Sequence, residues 1–143
     1  MSVRNYASFK WSTEHDGEFD SAGNVVSPGG RGIAEYIQQS LALQGLQVST
    51  PENHEDYGWA FDAIASSVRV WCLVQYAEPW LLITDVPSRW LHKLRGRDPD
   101  AKQRNVSHLI QAALASSGQA TGIRWFTRSE FDQSKGTGGV ESP

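Results

Sequence analysis

The chain reads as an α+β domain in which a mainly antiparallel sheet of about five to six strands carries two helices packed on one face. Three observations lead there. Short stretches alternate apolar and polar residues at a spacing of two, two longer stretches place apolar residues at helical spacing, and successive strands follow each other too closely for crossover helices.

Taken in order, Tyr6 to Trp11 alternates as a short strand. The next twenty residues are rich in turn formers, Glu14-His15-Asp16-Gly17-Glu18, Ser21-Ala22-Gly23-Asn24 and Pro28-Gly29-Gly30, and leave room for a small hairpin. From Gly32 the period changes: Ile33, Tyr36, Ile37 and Leu41 share one helical face, and Gly45 supplies the stop. Leu46-Gln47-Val48 reads as a returning strand. Tyr57 to Ala65, Val68 to Tyr76 and Trp80 to Val86 then form a meander through Ser66-Ser67 and Glu78-Pro79. Val68 to Val74 is apolar on both faces apart from Arg69, the pattern of a central strand. A polar connection, Arg95 to Asp100, leads to a second helix with Val106, Leu109, Ile110, Ala113 and Leu114 on its buried stripe, ending at Gly118. Ile123 to Phe126 is the last strand. Thr127 with Glu130 three places on forms a capping-box pattern, and the Gly/Ser-rich segment 135–143 is expected to be a disordered tail behind a single domain over 1–134.

A chain of 143 residues fits one core and buries about two-thirds of the surface its unfolded form exposes. Six tryptophans are many for this length. No run of about 18 apolar residues occurs, and Met1-Ser2-Val3-Arg4-Asn5 has neither a basic start nor an apolar stretch, so no signal peptide or membrane span is expected and the location predicted is cytoplasmic. Cys72 stands alone, which excludes an internal disulfide and a multi-cysteine metal site.

Charge is unevenly spread. Residues 1–62 hold nine acids against Arg4, Lys10 and Arg31, near −6, while the remainder holds ten bases against seven acids, near +3, for a total of −3. Arg89, Lys93, Arg95, Arg97, Lys102 and Arg104 crowd one connection. Around Trp90 they make a composition that meets nucleic acid or an acidic protein, yet a sequence pI of about 5.8 argues against a dedicated nucleic-acid binder. A helical reading of that segment puts Trp90, Leu91 and Leu94 against the core and Arg89, Lys93 and Arg97 in water.

Chemical motifs are sparse. His54-Glu55-Asp56 precedes the strand Tyr57-Gly58-Trp59-Ala60-Phe61-Asp62, whose Tyr57, Trp59 and Phe61 share a face, and acid and base groups there have access to a cleft. His15, Asp16, Glu18 and Asp20 faintly resemble a calcium loop, but Ser21 stands at the glycine position and Ser27 at the bidentate position. The four histidines lack HxH or HxxxH spacing. Pro28-Gly29-Gly30-Arg31-Gly32 opens a helix, a place where free N–H groups bind anions, without the Lys-Ser/Thr of a phosphate loop. The pattern assigns no catalytic residue, no metal ligand and no cofactor.

The helix Gly32 to Gly45, Glu55-Asp56-Tyr57-Gly58-Trp59-Ala60-Phe61, Val70-Trp71-Cys72-Leu73-Val74, Glu78-Pro79-Trp80 and Arg124-Trp125-Phe126-Thr127 together resemble, in layout over about residues 6–132, small bacterial single-domain proteins akin to the immunity proteins of toxin systems. The resemblance implies a non-enzymatic inhibitor that occludes the active site of a cognate toxin, with a protein partner, no nucleic acid and no membrane. Against a basic cleft, Asp16, Glu18, Asp20, Glu55 and Asp56 are the acids placed to stand in for substrate phosphates, and Trp11, Trp59 or Trp80 the aromatic anchors. Two alternatives predict different surfaces. A small hydrolase-like enzyme would use His54, Glu55 or Asp62 in a pocket walled by Trp59 and Trp71, with Arg69 holding an anionic substrate. A nucleic-acid or ligand-binding module would use Arg89 to Arg104.

Overall fold

Val68, Val70, Cys72 and Val74 are fully buried, and the strand that carries them is the middle of the molecule. A computed structural model describes residues 3–13, 16–76 and 79–143; Glu14, His15 and Glu78 of the expected turns lie outside them. Along the chain the elements are β1 (Tyr6–Trp11), β2 (Glu18–Phe19), β3 (Val25–Ser27), α1 (Arg31–Leu43), β4 (Gln47–Val48), β5 (Glu52–His54), β6 (Gly58–Ala65), β7 (Val68–Gln75), β8 (Trp80–Asp85), α2 (Arg89–Leu94), α3 (Pro99–Ser116), β9 (Ala120–Phe126) and α4 (Arg128–Ser134). The main sheet runs β4-β6-β7-β8-β1-β9, with β5 beside β4 along β6, and its pairings are antiparallel; β2 and β3 form a separate hairpin. The fold class is the α+β arrangement expected from the sequence.

The helices α1 and α3 cover one face. Ile33, Ile37 and Leu41 of α1 and Val106, Ile110 and Leu114 of α3 meet Ala7, Phe9, Phe61, Val70 and Leu82 of the sheet in one core. Each large aliphatic side chain so buried contributes about 1.5–3 kcal/mol. Asp98 caps α3 by accepting the Ala101 N–H at 3.1 Å, with Pro99 preset at the first helical position. Gln103, buried inside the helix, donates from its amide to the Thr84 carbonyl (3.1 Å) and hydroxyl (3.0 Å), fastening α3 to β8.

On the opposite face, register aligns Ala60, Leu73, Ile83, Tyr6 and Phe126 in one rung across five strands. Beside β9, α4 places Phe131 against Tyr6 and Phe126, with ring centroids 5.2 and 5.5 Å apart. Its start closes both hydrogen bonds of the capping box, Glu130 N–H to Thr127 Oγ1 and Thr127 N–H to Glu130 Oε1. Beyond it, Val140 exchanges two main-chain hydrogen bonds with Trp125, 2.7 and 3.1 Å, so part of the segment expected to be disordered lies along the β9 edge.

Three local expectations are corrected. Glu52–His54 is a strand of its own, paired with β6, rather than a strand entry. Tyr57 sits in the turn between β5 and β6, largely exposed, so only Trp59 and Phe61 share the core face. The orientation of α2 differs in part: Trp90 is 66% and Leu94 76% exposed and Arg89 is half-buried, while Leu91 is half-buried and Lys93 exposed as expected. The cause is Arg89, whose guanidinium donates to Asp100 and Gln103 and lies 4.0 Å from Asp85. Holding Arg89 inward against β8 and α3 turns the next residue, about 100° round the helix, to solvent, and Leu94 follows Trp90 at i+4.

Candidate functional site

The glycine-rich start of α1 is where several of the predicted partner-binding residues meet. Gly30 has φ +106, and a Cβ there would lie 3.2 Å from both Trp80 and Val74, so the chain passes tightly over the ends of β7 and β8. The N–H groups of Gly30 and Gly32 point outward and donate to Asp16, at 2.7 and 2.8 Å to its two carboxylate oxygens. The anion site legible in Pro28-Gly29-Gly30-Arg31-Gly32 is therefore filled by the chain's own Asp16. Trp59 donates its indole N–H to the Pro28 carbonyl at 2.8 Å, and the Arg31 guanidinium lies over its ring at 5.2 Å. Trp11 packs its ring against Phe9 and Tyr36. Asp16, Trp11 and Trp59 hold α1 onto the sheet.

Asp20 also has a structural task. It accepts the N–H groups of Ala22 (2.9 Å) and Asn24 (2.8 Å) and the Asn24 side-chain amide, closing the β2–β3 turn. These bonds, that of the Asn24 backbone foremost, hold its carboxyl below the ordinary 3.8. The hairpin it closes exposes Glu18 together with Phe19, Val25 and Val26.

The β5–β6 turn is built similarly. Asn53 and Asp56 exchange two hydrogen bonds of 3.0 Å, while Glu55 and Asp56 adopt left-handed backbone conformations, φ 49 and 60. Gly58 follows because a Cβ there would lie 2.0 Å from the Val74 carbonyl oxygen. This turn sits at the same end of the sheet as the start of α1: Gly58 pairs with Gln75 at the end of β7, and Gly30 rests on the neighbouring Val74. Of ten large apolar side chains exposed among the described residues, Tyr57 and Tyr76 stand at this end of the sheet, and Phe19, Val25 and Val26 stand on the β2–β3 hairpin that leads into α1. Glu18 and Glu55 make no ion pair or side-chain hydrogen bond among the described residues, so their charges face solvent.

The residues of the enzyme alternative come together only in part. His54, Asp62 and Trp71 line a hollow of about 220 Å³ on the sheet face away from α1, with Ser49, Glu52 and Asn53. His54 sets its ring edge-on to Trp71 at 5.2 Å, and Asp62 turns to Arg69 at 3.6 Å, so neither orients the other. Trp59 lies on the opposite face, and Glu55 is at the turn tip. Cys72 faces the core, where burial first and the Asp62 charge second push its thiol far above the ordinary 9.0.

In the basic connection, Arg89 is tied to Asp100, and Arg97 lies 3.3 Å from the His92 ring. Lys93 and Arg95 are exposed and make no ion pair among the described residues. Among those residues no three His, Cys, Asp or Glu side chains converge to hold a metal, and no helix is long and apolar enough to cross a membrane. No protein-family model, curated protein or solved structure matches the chain.

Proposed function

We propose that this chain is a non-enzymatic protein-binding inhibitor, of the kind that shields a cell from its own toxin, and that it blocks a basic cleft with the end of the sheet where α1 begins. The observation that supports this reading is the exposure of Phe19, Val25 and Val26 with Glu18 on the β2–β3 hairpin that leads into α1, and of Tyr57 with Glu55 in the β5–β6 turn. Apolar anchors inside a charged surround give a partner both a desolvated centre and a steered approach. Asp56 belongs to the same surface, its carboxylate steadied by Asn53. Asp16, Asp20, Trp11 and Trp59 support it by fixing the hairpin and the start of α1.

The test separates these two groups. Reversing Asp16 or Asp20 would disturb folding and binding together, so the informative variant is Glu18→Lys with Glu55→Lys. Tagged wild type and this variant are used in parallel to capture proteins from lysate of the source cell at low and moderate salt. One stoichiometric protein recovered by the wild type and weakened at least tenfold by the double reversal supports the reading. A partner retained equally by both, or no protein partner, defeats it.

A further inference from the structure

The hollow beside Trp71 arises from an irregularity at the sheet margin. β4 pairs Val48 with Ala63 and β5 resumes with Glu52 opposite Ala60, so Ser49, Thr50 and Pro51 stand against only Asp62 and Phe61 of β6. The extra residue bulges the edge, and Pro51, which has no N–H, cannot restore the ladder. Ser49 holds the break to β6: its N–H donates to the Asp62 carbonyl at 2.9 Å, and its hydroxyl oxygen accepts the Asp62 N–H at 2.8 Å. The space left, about 220 Å³, falls below the roughly 300–1,000 Å³ of pockets for drug-sized ligands and suits one small ring.

The side chains around this space carry hydrogen-bonding capacity that the protein leaves unused. Asp62 stands directly across the ladder from Trp71. Its Oδ1 is shut off without a hydrogen-bond partner, and its Oδ2 has only the Arg69 guanidinium, at 3.6 Å. An unmade bond of this kind costs about 1–3 kcal/mol. Among the described residues, Thr50, Glu52, His54 and the Trp71 indole N–H make no side-chain hydrogen bond either. Half-buried Trp71 supplies an apolar ring face of negative π density, and His54 stands edge-on to it at 5.2 Å as a side wall. An indole beside carboxylates and hydroxyls matches a ligand with a C–H face and a rim of hydroxyls. We propose that the hollow binds a neutral sugar ring, its C–H face on Trp71 and its hydroxyls on Asp62, Glu52 and Ser49.

The charges around the hollow favour a neutral ligand over a cation. Arg69 already faces Asp62, and Asp85, opposite Trp71 on the β8 side, lies 4.0 Å from Arg89. Glu52 is the one carboxylate of the hollow without a cation among the described residues. An amine would meet Arg69 there, whereas a hydroxyl gains a charge-assisted hydrogen bond at each carboxylate without that repulsion. The broad terminal torsion of an aspartate lets either oxygen of Asp62 turn to the incoming hydroxyl. A small, open site of this kind fits a dissociation constant on the order of 1–10 mM. It lies on the sheet face away from α1, so its failure leaves the inhibitor reading standing.

Methyl glycosides of glucose, galactose, mannose and N-acetylglucosamine, titrated to about 50 mM into the isotope-labelled full chain, test this by NMR. The readout is the indole N–H resonance of Trp71, identified by its loss in Trp71→Ala, together with the backbone amides of Ser49 and Asp62. At least one glycoside should shift all three saturably. Asp62→Asn, which keeps the shape of the side chain, should weaken that binding at least fivefold. Trp71→Ala should weaken it at least tenfold, and Trp71→Phe, which keeps an apolar ring, should restore it to within about threefold of wild type. Trp90→Ala, on α2, should leave it unchanged. No shift with any of the four glycosides, Asp62→Asn or Trp71→Ala binding as the wild type does, or a tighter response to methylammonium, which would assign the hollow to a cation, overturns the proposal.

Discussion

Replacing Asp16 by alanine should destabilise the protein although the residue is exposed and far in sequence from the helix it serves. The two hydrogen bonds it accepts, from Gly30 N–H at 2.7 Å and Gly32 N–H at 2.8 Å, satisfy donors that the first turn of α1 cannot pair internally. Side-chain capping contributes about 0.5–2 kcal/mol, and a carboxylate at the positive end of the helix dipole adds about 0.3–1 kcal/mol. Because water regains access to the freed N–H groups, about 2 kcal/mol is the expected total loss. For 143 residues the unfolding entropy is about 0.3 kcal/mol/K, so Tm falls by about 7 °C. Asp16→Asn keeps one acceptor and should lose about half as much. Urea unfolding followed by tryptophan fluorescence measures both, with an unchanged m-value expected. The vacated N-terminus should also make the alanine variant gain more stability from added sulfate than the wild type does. Alanine and wild-type midpoints agreeing to within about 0.3 kcal/mol, or equal responses to sulfate, would refute the claim that the glycine-rich turn is served by Asp16.

Other outcomes follow from the same geometry. Trp90→Ala should change stability by less than about 0.5 kcal/mol because the side chain is exposed, whereas Trp125→Ala, which empties a fully buried site, should cost about 3–5 kcal/mol; urea midpoints decide. The Cys72 thiol should ignore a disulfide reagent at pH 8 in the native protein and react once urea unfolds it, since burial holds it protonated; rapid native labelling would contradict its placement. Glu130 is held below its ordinary 4.5, first by the Thr127 backbone N–H, and Asp20 below 3.8, first by that of Asn24. Both carboxyls are depressed on folding, so the stability they contribute is fully present above their ordinary values and is lost as pH falls through the lowered ones. Glu130→Gln should therefore flatten part of the acid limb of a stability–pH curve, and an unchanged limb would contradict the capping-box assignment.

What was legible in the sequence was whatever is local and periodic. The α1 stripe of Ile33, Ile37 and Leu41, the α3 stripe of Val106, Ile110 and Leu114, and the β6–β7–β8 meander announce themselves because burial repeats at 3.6 or 2 residues. The Thr127–Glu130 capping box was equally readable, being four residues long. The task of Asp16 was hidden because its partners lie 14 and 16 residues away across a hairpin. The short strand Glu52–His54 carries no apolar residue, so periodicity could not mark it. For the facing of α2, hydrophobicity alone places Trp90 and Leu94 inward with Leu91, and only Leu91 is half-buried. What decides it is Arg89, whose acceptors Asp100 and Gln103 come from the following helix and whose third acid, Asp85, ends the preceding strand. For the site, sequence composition located the acids; only the packing sorts Glu18 and Glu55, which face solvent, from Asp16 and Asp20, which hold the backbone.

The most direct test of the inhibitor reading is hydrogen–deuterium exchange of the protein bound to the partner it captures. Slowed exchange confined to residues 17–27 and 55–58, with α2 and the hollow at Asp62 and Trp71 unchanged, is the predicted result. Slowed exchange at α2 or around that hollow, with residues 17–27 and 55–58 unaffected, would contradict the account and move the working surface elsewhere.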